Sequence, residues 1–222
     1  MATPVETLTL RFELLSGATF GRGDGLPGIV DQEVEHDPYG MPFVRGRTLR
    51  GLLAEEMEGL LYALGDQKAT TWRVSRDRLL GTSARMTDES GILHIGDACL
   101  PERLRRLIVE SLDAEDDRIT RLSVLESLTA IRRQTAMTPF GTPETTSLRA
   151  MRIVLRGIVF ESRLTFDQAL GPLDRALLAA SVLAWRRAGT GRNRGRGRLR
   201  AWLENDDWMF EQFRIFQQKA TA

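Results

Sequence analysis

The sequence predicts an α+β fold, with helices packed on a mainly antiparallel sheet. Three observations predict it: an apolar/polar alternation at the start of the chain, two stretches with apolar residues at three- and four-residue spacing, and short extended runs after each of them. The 222 residues, 42% hydrophobic and 27% charged, have the composition of one compact domain with an elaboration.

Leu8, Leu10, Phe12 and Leu14 alternate with Thr9, Arg11 and Glu13, the period-2 signature of a half-buried strand. Between Gly17 and Gly28 five glycines and one proline resist regular structure, so a long loop is expected there. From Leu49 the series Leu52, Leu53, Met57, Leu60, Leu61 and Leu64 marks an amphipathic helix that Gly65 can stop. Residues 67–90 are polar and carry no recognisable pattern. Ile92–Ile95 reads as a short strand and Pro101–Leu112 as a helix opened by its proline, while the charged residues 113–121 are expected at the surface. Residues 131–147, with two prolines, one glycine and five threonines between extended flanks, read as a projecting hairpin or arm. A β-branched extended segment, Leu148–Phe166, precedes a helix over Leu173–Arg187 that buries Leu173, Ala176, Leu177, Ala180 and Ala184; a glycine-arginine loop and a strand at Leu199–Leu203 follow. Twice the order is strand, helix, strand, as in ferredoxin-like or RRM-like folds.

Composition narrows the function classes. No uninterrupted apolar run reaches the roughly 18 residues of a membrane span, and MATPVETLTL lacks the pattern of a secretory signal, so no membrane partner and a cytoplasmic location are expected. One cysteine, Cys99, excludes an intramolecular disulfide framework, and with only His36 and His94 beside it zinc is not expected. Net charge is +1 overall, but −7 over residues 1–130, +10 over 131–203 and −2 thereafter. Every basic residue of the middle block is arginine, whose planar fork suits phosphate and base stacking.

Two segments carry candidate chemistry. In GTGRNRGRGRLR, glycines at 189, 191, 195 and 197 alternate with arginines at 192, 194, 196, 198 and 200; glycine lets backbone approach a phosphate and arginine supplies charge-assisted hydrogen bonds. The loop lacks the GK[ST] of a Walker motif, and it runs from helix to strand, the reverse of a dinucleotide fingerprint. In DQEVEHDPYG, an extended backbone would align Asp31, Glu33, Glu35 and Asp37 on one face, which suits either a hard divalent cation or plain solvation ahead of the Asp37–Gly40 turn. His36 has the chemistry of a general base or of a surface histidine. His94 reads as a core or interface residue and Cys99 as a packing residue.

Taken in order, the glycine-rich loop, GIVDQEVEHDPYGMPFVRGRTLRGLLAEEME, ILHIGDACLP, RRQTAMTPFGTPETTSLRAMRIVLRGIVFESRLTF and GTGRNRGRGRLRAWL resemble the RAMP superfamily of CRISPR-associated proteins, and within it the Csm/Cmr-type backbone subunit of type III effector complexes. The resemblance implies a single RAMP domain over 1–222, an RRM-like core with a thumb hairpin at 131–147, and an insertion of unassigned role at 67–90. It implies copies stacked along a CRISPR RNA, with target RNA and other CRISPR-associated subunits as further partners. The aspartate after the first glycine-rich loop, here Asp31 in GIVDQEV, is implied as catalytic, with Mg2+ or another divalent cation, in cutting guide-paired target RNA. Guide contacts are implied for Arg45, Gly46, Arg47, Thr48 and Arg50 around the start of the first helix, where N–H donors favour phosphate. They are also implied for Gly191, Arg192, Asn193, Arg194, Gly195 and Arg196, and for Arg132, Arg133, Thr135, Met137 and Leu148 on the thumb. Relatives often carry serine and lysine where this chain has Arg47 and Arg50. Three rival readings stand: a non-catalytic backbone subunit, a RAMP endoribonuclease that processes precursor guide RNA through His36, and an unrelated basic RNA-binding module.

Overall fold

The computed structural model describes residues 5–82, 91–114, 119–135 and 148–221. Strand β1 (Glu6–Leu14) leads through the glycine-rich loop to helix α1 (Gly46–Leu80) and the short strand β2 (Leu93–Ile95). An excursion of helices α2 (Glu102–Asp113) and α3 (Arg121–Leu128) and strands β3 (Thr129–Gln134) and β4 (Arg149–Val154) follows. Strand β5 (Val159–Phe166), helix α4 (Pro172–Ala184), strand β6 (Leu199–Leu203) and helix α5 (Asp206–Thr221) complete the chain.

The main sheet has the order β2-β5-β1-β6 with every pair antiparallel. Without the α2–β4 excursion, the path β1-α1-β2-β5-α4-β6 is the split βαβ arrangement of ferredoxin-like folds. The alternation read from the sequence sets the register: Leu10, Phe12 and Leu14 are fully buried against α1 and α4, while Arg11 pairs with Glu161 on the other face at 2.7 Å. Phe12 is the centre of the core, its ring 5.1 Å from Phe160 and 5.0 Å from Trp185, whose indole N–H donates to the Arg187 carbonyl.

Gly65 breaks α1 as expected (φ 75°, ψ 160°), but the chain re-enters helix at once. The polar stretch from residue 67 is therefore helical as far as Leu80, burying Ala69, Trp72 and Leu79; only 83–90 lie outside the described residues. Its apolar side chains are too few to register as a periodic stripe; it reaches α5 through Trp72, 4.7 Å from Phe216, and α4 through Arg78, which pairs with Asp174. Helix α3 was absent from the sequence reading. It is a two-turn helix opened by a Thr120–Ser123 capping box.

β3 and β4 pair antiparallel from Thr129↔Val154 to Gln134↔Arg149, forming the stem of the expected hairpin; its tip, 136–147, lies outside the described residues. The stem's second edge is not free. Ala18 bridges Val154 and Gln32 bridges Met151, so the glycine-rich loop and the Asp31 segment lie along β4. No described helix is long and apolar enough to cross a membrane.

Candidate nucleic-acid interface

Asp31 is exposed at the edge of β4. Its backbone N–H donates to the Ala150 carbonyl (2.8 Å), and its Oδ2 accepts from the Ala150 N–H (2.6 Å). The other three carboxylates do not share a face with it. Glu33 is buried, accepting from Arg152 Nε (2.8 Å) and the Val34 N–H (2.9 Å). Glu35 pairs with Arg45 at 2.6 Å. Asp37 accepts from the N–H groups of Tyr39 and Met41 and meets Arg105 at 3.3 Å. A period-2 pattern requires an unbroken strand, and here the segment makes only isolated bridges, so each carboxylate finds its own partner. Among the described residues no three His, Cys, Asp or Glu side chains converge as a metal site. Asp31 alone suits Mg2+ only if the ion keeps waters and takes further oxygens from RNA phosphates. The donor set fits on that condition.

Asp31 opens onto a groove of about 880 Å3. Asp31 and Gln32 form one wall, Gln134 and 148–151 of the hairpin stem a second, and 189–194 with Arg196 a third. The third wall is the glycine-arginine loop, which makes one 3-10 turn, Arg192–Arg194, between Gly191 and Gly195. Gly197 then passes so close to α4's exit that a Cβ there would stand 1.7 Å from the Ala188 carbonyl, and at φ 63° only glycine is at ease. This contact fixes where the arginines point. Arg194 is exposed, whereas Arg196 is 7% exposed, has the Met151 sulfur against its Nη1 and has no carboxylate partner among the described residues. Burial, then the charges of Arg132 and Arg194, push the Arg196 guanidinium below the usual arginine range. Cations gathered without a counter-charge make a site for an anion.

A second groove of about 500 Å3 adjoins the first through Gly189, Thr190 and Arg192 and continues along 19–23, Arg45, Arg47 and Thr48. Arg192 stands at the junction, its Nη2 donating to both carboxylate oxygens of Glu55 on α1 (2.8 and 2.9 Å). Arg47 and Thr48 are exposed. The hydrogen bond and charge of Glu35 hold the Arg45 guanidinium above its usual range, with burial opposing and Asp97 adding to the rise.

Two members of this set have another role. Gly46 is buried: its N–H donates to Asp97 Oδ1 (2.7 Å) and a Cβ would stand 2.0 Å from the Ile95 carbonyl, so the first donor of α1 is already taken. Arg50 turns inward, donating to the carbonyls of Leu93 (2.7 Å) and Leu80. Arg132, Arg133 and Thr135 are exposed on or beside β3, Leu148 lines the first groove, and Met137 lies outside the described residues. His36 lines neither groove; its Nδ1 is 3.1 Å from the Asp37 carbonyl. His94, expected in the core or an interface, is exposed and 2.6 Å from Asp167, because the strand alternation turns it away from buried Leu93. Sequence reasoning missed Ala150, Arg152 and Glu55. The first two sit in an ordinary β-rich run, and the third looks like any exposed helix glutamate.

The RAMP superfamily model matches residues 11–200. No curated protein matches the chain. Among solved structures, a chain of the type III-B Cmr-beta complex bound to cognate target RNA superposes with a TM-score of 0.63 at 12% identity, covering 96% of this chain and 100% of that one. A chain of the apo Cmr-beta complex gives 0.64 at 14% identity, covering 90% and 98%. At these identities the likeness is one of fold. The matched span runs from β1 to β6 and includes both grooves, so the chain belongs to the RAMP superfamily.

Proposed function

We propose that the chain is an RNA-binding backbone subunit of a type III CRISPR effector complex that cuts guide-paired target RNA beside Asp31. The observation that carries this reading is the meeting of Asp31, the hairpin stem and the glycine-arginine loop around one groove, from segments remote in sequence. Guide phosphates lie along Arg45, Arg47, Thr48 and the 189–192 turn, where charge and small residues accept any base sequence. The hairpin splays a target nucleotide aside. Its 2′-oxygen forms a bond to the adjacent phosphorus while the bond to the 5′-oxygen breaks; the 2′-hydroxyl proton passes to solvent and the leaving oxygen takes one from water. Asp31 is the carboxylate that would hold a divalent cation beside the reacting phosphate, and Arg194 and Arg196 offset that group's developing charge. Mg2+, when bound, adds positive charge at that phosphate. Copies of the chain, a CRISPR RNA and other CRISPR-associated subunits complete the assembly, in the cytoplasm.

Reconstitution with Asp31→Ala tests the reading. The expected outcome is loss of target cleavage with guide and target binding within about threefold of the parent. Unchanged cleavage would leave a purely structural backbone subunit. Metal-independent cutting of a repeat hairpin by the chain alone, abolished in His36→Ala, would turn it into a precursor-processing enzyme.

A further inference from the structure

We propose that strand β4 of the hairpin stem positions Asp31, with the Ala150 N–H orienting the carboxylate and the buried Glu33–Arg152 pair fixing the loop that carries it. The inference rests on the proposed cleavage through Asp31. Ala150 gives both its backbone groups to Asp31, the N–H to Oδ2 and the carbonyl to the Asp31 N–H. Two residues on, the Arg152 N–H donates to the Gln32 carbonyl (2.9 Å); two further, Val154 exchanges both bonds with Ala18. Residues 150, 152 and 154 therefore face the loop with their backbone groups, and the ladder to β3 is made by the alternate residues.

Side chains secure the same register. Arg152, 5% exposed, donates from Nε to Glu33 Oε1 (2.8 Å) and from Nη1 to Thr129 (3.3 Å) at the foot of β3. Glu33 is fully buried, and its second oxygen, Oε2, has no hydrogen-bond partner among the described residues. Neither charge can leave without stranding the other away from water. The acidic loop and the stem consequently move as one body. Displacement of the hairpin by a target strand carries Asp31 with it, so seating of the hairpin and aim of the carboxylate are a single event. Ala150, Arg152 and Glu33 are positioning residues in this scheme.

Ala150→Pro removes the N–H donor and leaves the β3 ladder bonds in place. In the reconstituted complex we expect single-turnover target cleavage to fall about 10- to 100-fold with target binding within about threefold. A readout without activity accompanies it: in the full-length chain, Asp31→Ala should speed hydrogen exchange at the Ala150 amide by about tenfold or more. If Ala150→Pro does not fold, the joint change Glu33→Met with Arg152→Leu, which leaves no charge buried alone, should give the same loss of cleavage with binding retained. Cleavage within about twofold of the parent in the folded variant, while Asp31→Ala is inactive, overturns the positioning role alone. Cleavage by Asp31→Ala overturns the proposed function and this role with it. Unchanged Ala150 exchange in Asp31→Ala overturns the contact on which both arms depend.

Discussion

Arg50 and Arg196 are both withdrawn from solvent, but their partners differ and so do the consequences of removing them. Arg50 satisfies two carbonyls at the ends of α1 and β2. Arg50→Ala should lower stability by about 1–3 kcal/mol in a denaturant melt and leave the salt dependence of RNA binding unchanged. Arg196 has no carboxylate partner among the described residues and two cationic neighbours, Arg132 and Arg194. Arg196→Met is expected to leave the RNA-free protein as stable as the parent or more so while weakening RNA binding, and a fall in both would show that its role is only packing. Burial pushes the Cys99 thiol up, with Asp97, Asp37 and Glu102 adding to the rise against Arg105. The thiolate is the nucleophile, so its fraction at any pH below the raised value is smaller than for a free thiol; iodoacetamide should label native Cys99 slowly at pH 8, and faster as pH rises or when the chain is denatured. The glycine-arginine pattern nominated Arg196 and the family resemblance singled out Asp31, but the inward turn of Arg50 depends on carbonyls 30 and 43 residues away and left no mark in its neighbourhood.

Elements that pack against the sheet were legible because their periodicity is imposed by the sheet. The alternation of β1 and the spacing of Ala176, Leu177 and Ala180 in α4 both report a wide apolar surface opposite them. The second half of α1 has few buried apolar positions, so Ala69, Trp72 and Leu79 are scattered among exposed polar residues, and Trp72 and Lys68 make its contact with α5. That contact makes α1 and α5 interdependent: Trp72 meets Phe216, and Lys68 donates to the carbonyls of Ala220 and Thr221. Phe216→Ala should cost about 3–5 kcal/mol, as should Trp72→Ala, and the double variant should cost less than their sum. Additive losses in the thermal melts would mean the two side chains are not one packing unit. Residues 206–221 lie beyond the span matched by the superfamily model, whereas α1 lies within it.

At the scale of the whole molecule, the split of charge along the chain resolves into one surface. Arg45 and Arg47, from the acidic block, share a groove with Arg192, from the basic block, and that groove joins the one holding Arg194 and Arg196. Positions along the chain do not show this surface, which forms where the segment at 31, the start of α1 at 45, the hairpin stem at 150 and the turn at 192 line two adjoining grooves. With single-stranded RNA, Arg192→Ala with Arg194→Ala should flatten the slope of log affinity against log salt by about 1–1.5; an unchanged slope would place the loop away from phosphate. The central position of β1 has a consequence for the chain as it is made. Both of its sheet partners, β5 and β6, lie far downstream. At 5–20 residues per second, β1 waits about 7–30 s after its own synthesis before β5 is translated, and longer for β6. A ribosome thus presents an amphipathic strand with two open edges until β5 and β6 are made, an interval in which its unpaired N–H and C=O groups are open to pairing with another chain. The groove is lined by residues 189–194 and 196 as well, so it is complete only once that loop has been made.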